Sequence, residues 1–301
     1  MPEYGDYDQS LSRQHPGLFV ILLDQSDSMT EKDVTTGETK SRIVTTHVNT
    51  IIQKMIEFAQ VEEFSGRRKN YAYVSILGYN DNVYPLISND LTPISLPDLD
   101  DMAQGNLPIQ RKVVDKSGRA VRSSPDKIKF WIKPQEKGNT DMARAFETAE
   151  TVIRNWLHSA PEFAGRDIGM QMPRSESFPP VLINITDAKN NGKDDPEEVV
   201  QRIRELHTNH GNVLIYNCHF THEGAEPCVF PRDITEVRNK TRTRLAERMF
   251  YMSSELPERL RAKAQRTMRI PIEAGARCFV YNASPDILLK FLTWTTLGNR
   301  R

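Results

Sequence analysis

Two runs of bulky apolar residues, each stopped by an aspartate, restrict what this chain can fold into more than any other feature. Leu18-Phe19-Val20-Ile21-Leu22-Leu23 runs into Asp24-Gln25-Ser26-Asp27-Ser28, and Pro180-Val181-Leu182-Ile183-Asn184-Ile185-Thr186 runs into Asp187. Short apolar runs that end abruptly in polar groups read as buried strands delivering those groups to one end of a sheet. In open α/β sheets, ligands bind beyond the carboxyl ends of the strands. Both carboxylates stand there.

The rest of the chain supplies strands and helices in alternation. From Ser41 to Gln60, apolar residues recur at three and four, which predicts an amphipathic helix. Tyr71 to Tyr79 reads as a strand, followed by the turn Asn80-Asp81-Asn82. Thr140 to Trp156 is helical in spacing, with Thr140 or Asn139 as its expected cap. Pro196 to Thr208 opens with Pro and Glu, as a helix start does. Val213 to Phe220 and Cys278 to Tyr281 are further strands, Pro231 to Arg269 is an interrupted helical stretch, and Ser284-Pro285-Asp286 starts a final helix through Trp294. The expected fold is α/β, a Rossmann-like three-layer sandwich with a mostly parallel central sheet and helices on both faces.

Residues 85–137 are too long and too rich in Pro, Asp and Ser for a plain connection, and read as an insertion. Within it, Ile109 to Val114 and Arg119 to Val121 are expected to pair as a hairpin, and Lys127 to Ile132 alternates as a half-exposed strand does. Residues 1–16 form a polar tail. The remainder, 17–301, reads as one domain with a second insertion at about 221–275.

Asp24, Ser26 and Ser28 are hard oxygen donors of the kind Mg²⁺, Mn²⁺ and Ca²⁺ take, and alternate side chains of a tight loop can converge. By itself such a string also serves as a turn and a helix cap. Gly138-Asn139-Thr140-Asp141 adds a hydroxyl at a helix start, and Asp187 adds a second carboxylate. Taken together these three segments resemble the von Willebrand factor A domain family and its metal-ion-dependent adhesion site. The resemblance matches Asp24, Ser26 and Ser28 to the first loop, Thr140 to the second and Asp187 to the third. It implies that both serines bind the ion directly, Thr140 directly or through water, and Asp24 and Asp187 largely through water. Asp27 departs from the pattern, since family members usually carry Gly there.

Lys plus Arg and Asp plus Glu are 40 each, so no global charge draws the chain to nucleic acid or to an anionic membrane. Cys218, Cys228 and Cys278 are odd in number and far apart, which argues against a disulfide framework and for a reducing compartment. Residues 1–13 lack the basic start and apolar core of a secretory signal, and no apolar stretch approaches the roughly 20 residues of a membrane span. The expectation is a cytoplasmic protein of the intracellular bacterial type. Cys218, His219, His222 and Cys228 offer zinc ligands, but neighbours on a strand point to opposite faces and the spacing fits no common zinc module. The Arg- and Lys-rich stretch from Arg238 to Arg269 reads as a solvated helical face or a docking surface for an acidic partner.

The resemblance implies a non-enzymatic protein-binding module that captures an acidic side chain of a partner at its metal, with Mg²⁺ favoured and Mn²⁺ or Ca²⁺ as alternatives. Family analogy points to Ser/Thr kinases, phosphatases or AAA+ ATPases as partners. The rival is a Mg²⁺-dependent haloacid-dehalogenase-like phosphotransferase with Asp24 as nucleophile. That chemistry needs a second Asp two residues on, where this chain has Ser26.

Overall fold

The first apolar run becomes strand β1 (Gly17–Asp24), buried at each of its 8 positions, and the second becomes a strand hydrogen-bonded directly to it. The computed structural model describes residues 5–33, 36–61, 66–109, 112–114, 120–122, 126–187, 195–220, 226–241 and 243–297. After β1 come α1 (Lys40–Phe58), β2 (Ala72–Tyr79), β3 (Val83–Pro85), β4 (Ile94–Ser95), α2 (Leu96–Asp101), β5 (Gly105–Ile109), β6 (Lys112–Val114), β7 (Ala120–Arg122) and β8 (Asp126–Phe130). Then follow α3 (Met142–Leu157), the ribbon β9 (Phe163–Gly165) and β10 (Gly169–Met170), β11 (Val181–Thr186), α4 (Pro196–Glu205), and the ribbon β12 (His207–Thr208) and β13 (Gly211–Asn212). The last part holds β14 (Leu214–Phe220), β15 (Cys228–Val229), α5 (Ile234–Arg238), α6 (Arg244–Met252), α7 (Glu258–Met268), β16 (Phe279–Ala283) and α8 (Pro285–Leu297).

The main sheet runs β15-β16-β14-β11-β1-β2-β3, with β4 also paired to β2. From β16 to β2 the neighbours are parallel, and β15, β3 and β4 add antiparallel margins. The fold is therefore mixed α/β with a mostly parallel sheet flanked by helices, as expected. The chain leaves β1 toward β2 on one side and later fills β11, β14 and β16 on the other, so the strand order reverses at β1. The crevice at such a reversal is where open α/β sheets hold ligands.

Successive side chains of β1 face opposite sides of the sheet. Phe19, Ile21 and Leu23 join one core with α1, α7 and α8, while Leu18, Val20 and Leu22 join a second with α3, α4 and α6. Burying each of these side chains stabilises the fold by about 1.5–3 kcal/mol, which fixes the height at which β1 stops and Asp24 begins.

Within 85–137, β6 and β7 pair antiparallel from Lys112↔Arg122 to Val114↔Ala120, close to the expected hairpin, and β5 and β8 extend the arm below it. Ile128 is buried between exposed Lys127 and Lys129, as the alternation predicts. Helix α2 was not anticipated, although Ser95 accepts from Asp98 N at 3.3 Å and Pro97 stands in the first turn, both ordinary start signals. The stretch is riveted to α1 by Asn49. Its Oδ1 accepts from Trp131 N and Ile132 N at 2.9 and 3.2 Å, and its Nδ2 donates to Ile132 O at 2.9 Å.

Two expectations need correction. Helix α3 is capped by Asp141, whose carboxylate accepts from Arg144 N at 3.1 Å, and not by Thr140 or Asn139. Thr140 is drawn into the body instead, at 1% exposure. Helix α4 ends at Glu205 and not at Thr208, because His207 and Thr208 leave it to pair with Asn212 and Gly211. The polar segment ahead of β1 lies against the body, with Tyr7 N donating to His210 O at 2.9 Å and Tyr7 Oη to Asn212 O at 3.2 Å.

Candidate metal centre

Past the end of β1 the chain turns tightly around its own aspartate. Ser26 N donates to Asp24 Oδ1 at 2.9 Å, an Asx-type turn, and a short 3₁₀ turn over Asp27–Thr30 follows with Met29 buried beneath it. Ser26 Oγ and Ser28 Oγ lie 3.0 Å apart, and Ser28 Oγ donates to Asp187 Oδ1 at 2.8 Å. A hydroxyl has one hydrogen. With that of Ser28 given to Asp187, Ser26 is the donor between the serines, and the lone pairs of Ser26 are left to accept.

Asp24 is 2% exposed, and its second oxygen accepts from Thr186 Oγ1 at 2.5 Å. Burial pushes its carboxyl up to about 6 against the hydrogen bonds of Ser26 and Thr186, and the neighbouring Asp187 adds to the rise. Asp187 Oδ2 is held by Lys40 Nζ at 3.0 Å, and the same ammonium meets Glu31 Oε2 at 2.6 Å. Lys40 stands at the start of α1 with a side chain only 3% exposed. His219, also buried, lies against the Asp187 backbone and stacks on Tyr281 with ring centroids 4.5 Å apart. Burial pushes its imidazole down to about 4, so it is neutral at physiological pH.

The second loop is strapped to the first through the backbone. Asp27 N donates to Gly138 O at 3.0 Å, Gly138 N to Asp27 Oδ1 at 2.9 Å, and Lys137 N to Gln25 O at 2.8 Å. The carboxylate that departs from the family pattern is thus a clamp on the second loop. Asp81 closes the other side, accepting from Asn139 Nδ2 at 2.8 Å and from Asn139 N at 3.3 Å. Gly138 has φ of 89°, and a Cβ there would strike the Asp81 carboxylate, so the position needs glycine. Two residues later, the buried Thr140 Oγ1 has no hydrogen-bond partner. A buried hydroxyl without a partner is costly and calls for a reason.

The structure therefore joins Ser26, Ser28 and Asp187 directly, ties Asp24 to Ser26, and clamps the loop of Thr140 to the same turn. Sequence reasoning missed Lys40, Thr186 and Asp81, which hold these residues in place. A lysine opening a helix runs against the dipole, and that was the signal available for Lys40. Among the described residues no three His, Cys, Asp or Glu side chains are grouped to hold a metal. A hydroxyl-rich set such as this one contains only two carboxylates. Cys218 and Cys228 belong to cores on opposite sides of the sheet, and all three thiols are free and buried. His222 lies outside the described residues. In the basic stretch Arg238 pairs with Glu247, Arg248 with Asp195 and Glu197, and Arg261 with Glu258, as on a solvated, salt-bridged face.

Among the described residues no helix is long and apolar enough to cross a membrane. No protein-family model and no curated protein matches the chain. Solved structures similar to it include the von Willebrand factor type A structure from Catenulispora acidiphila, at 11% identity and TM-score 0.38 over 75% of this chain and 36% of that one. Proximal thread matrix protein 1 of the mussel byssus, with a zinc occupied MIDAS motif, is 14% identical at TM-score 0.36, over 70% and 37% of the two chains. The conserved hypothetical protein BatB from Bacteroides thetaiotaomicron is 14% identical at TM-score 0.39, over 92% and 97%. The chain thus spans well under two thirds of the mussel and Catenulispora proteins. At these scores the likeness carries no functional argument, and the case for the site is its own geometry.

Proposed function

We propose that the chain is a non-enzymatic, divalent-cation-dependent protein-binding module, whose ion is held by Asp24, Ser26, Ser28, Thr140 and Asp187. The single observation that carries this is the unpartnered, buried Thr140 Oγ1 on a loop clamped to the Ser26–Ser28–Asp187 hydroxyl and carboxylate chain. The donors fit a hard cation: three neutral hydroxyls and two carboxylates, with no soft ligand. Neighbouring oxygens of an octahedral Mg²⁺ shell are about 2.9 Å apart, given bonds of 2.0–2.1 Å. Ser26 Oγ and Ser28 Oγ already stand at 3.0 Å, a spacing that two oxygens of one hard-cation shell can keep, Mg²⁺, Mn²⁺ or Ca²⁺ alike.

When bound, the ion supplies an electron-poor seat for a carboxylate. The chain's own residues set how poor. Asp187 shares its charge with Lys40, and both oxygens of Asp24 already accept hydrogen bonds, so hydroxyls dominate the donor set. An Asp or Glu side chain of a protein partner is the group such a seat would recognise.

The rival phosphotransferase reading is disfavoured by two contacts. Asp24, the would-be nucleophile, has each oxygen engaged by Ser26 N or Thr186 Oγ1, and Asp27, the nearest carboxylate, is spent on Gly138 N. The free, buried cysteines support a reducing, cytoplasmic setting, and family analogy suggests a Ser/Thr kinase, phosphatase or AAA+ ATPase as partner. The test is an array of acidic peptides probed in Mg²⁺ and in EDTA, with Ser28→Ala as control. Retention should depend on Mg²⁺, on Ser28 and on the peptide's Asp or Glu. EDTA-insensitive retention would contradict the proposal, and Mg²⁺-dependent turnover of p-nitrophenyl phosphate would restore the enzyme.

A further inference from the structure

At the end of the sheet opposite Asp24 and Asp187, a cleft of about 870 Å³ opens between the Gly5–Tyr7 segment, the end of α4, the start of β14 and the link from α6 to α7. That volume lies in the range of small-molecule sites. Three arginines line it: Arg204, Arg259 and Arg277. Arg204 donates to Tyr251 O at 2.5 Å and to Ser253 O at 2.8 Å, and Arg277 donates to the same Ser253 O at 2.8 Å. Two guanidinium groups are thereby gathered on one carbonyl. Neither has a carboxylate partner among the described residues, unlike Arg238, Arg248 and Arg261 nearby.

Two adjacent cations with only neutral acceptors repel each other, and burial compounds the cost. Burial, then Arg277, pushes the Arg204 guanidinium down to about 10. The acids of the cleft do not relieve it: Glu258 is taken by Arg261, and Asp6 and Glu255 are exposed without an ion pair to either arginine. Each guanidinium has five N–H donors, and the bonds named above use two on Arg204 and one on Arg277. Both bonds of Arg204 leave from Nη2, so its Nε and Nη1 remain as single donors, whereas Arg277 uses only Nη1 and keeps its Nε/Nη2 fork, the pair that recognises oxyanions bidentately. A carboxylate spends both oxygens on the Arg277 fork. A phosphate, with three terminal oxygens and up to two negative charges, fills that fork and has an oxygen left for a donor of Arg204.

We infer that this cleft binds a small phosphate-bearing anion between the guanidinium groups of Arg204 and Arg277, with Arg259 at its rim. It is separate from the metal centre by the full length of the sheet, and its ligand needs no metal.

The test is calorimetric titration of inorganic pyrophosphate into EDTA-stripped protein, with citrate as a carboxylate comparison at equal ionic strength. Pyrophosphate should bind the wild type and Asp24→Ala alike, and roughly tenfold or more weaker to Arg277→Gln, the loss expected when one charged donor is removed. Exposed Arg259→Gln should weaken it less. If Arg277→Gln does not fold, Arg277→Lys keeps the cation and removes the fork, and should also weaken binding. Absence of pyrophosphate binding, equal binding by the Arg277 variant, or tighter binding of citrate would overturn the inference.

Discussion

Ser28 Oγ donates to Asp187 Oδ1 at 2.8 Å across 159 positions of sequence. That bond joins the loop after β1 to the loop after β11, the two strands whose separation in the chain and adjacency in the sheet create the crevice at the reversal of strand order. The other oxygen of the same carboxylate belongs to Lys40, so Asp187 stands between a hydroxyl it shares with the candidate ion and an ammonium that competes with it.

Lys40→Met tests that competition. The side chains of Lys40 and Asp187 are 3% and 1% exposed, and removing one partner of a buried pair costs about 3–5 kcal/mol. Urea unfolding in EDTA should show a loss of this size. Mg²⁺ should recover more stability for the variant than for the wild type, since the ion then becomes the countercharge of Asp187. A variant as stable as wild type in EDTA would show that the pair is not needed.

Asn49→Ala should destabilise the protein by about 3 kcal/mol, because Trp131 N and Ile132 N lose a buried acceptor and Ile132 O a donor. The segment after Ile132 leads to the clamped loop at Lys137 and Gly138, so the variant should also bind Mg²⁺ more weakly. Denaturation and ion titration measure the two effects separately.

Glu150 ties α3 to α4, accepting from Arg154 Nε and Nη2 at 2.9 and 2.8 Å and from Arg202 Nε and Nη2 at 3.1 and 2.9 Å. Burial alone would raise its carboxyl, but the hydrogen bonds of Arg202 and Arg154 outweigh burial and hold it below its ordinary 4.5. A depressed carboxyl contributes stability that is present above the unfolded value and lost as pH falls through the folded one. Glu150→Gln should therefore cost about 1 kcal/mol at neutral pH, and the gap to wild type should close as the pH is lowered below 4.5. A gap constant with pH would assign the effect to packing.

The strands were legible because β1 is apolar up to Asp24 and most positions of β11 and β14 are apolar too, as in strands covered on both sides, whereas their order in the sheet came from the structure. The candidate site residues were legible for a different reason: any one of the three segments alone reads as a turn or a cap, and only the three together resemble one metal-binding pattern. What escaped was set by contacts distant in sequence. Thr140 reads locally as a cap, and only the placement of Asp141 and the clamp from Asp27 show that its hydroxyl is left over. Lys40 opens α1 against the helix dipole, but the carboxylate that explains it, Asp187, stands 147 positions away in sequence. Helix α2 is 6 residues long, too short for its periodicity to stand out. The cleft lined by Arg204 and Arg277 joins residues 73 positions apart by number, and no local pattern announces it.

The most direct test is a calorimetric titration of Mn²⁺ into the wild type and into Thr140→Val, a change of similar shape that removes one buried, unpartnered hydroxyl. Without metal the variant should be as stable as wild type or slightly more so, because an unsatisfied polar atom is gone. The wild type should bind one ion per chain and the variant should lose most of that affinity. Equal binding by both would contradict a metal centre that includes Thr140.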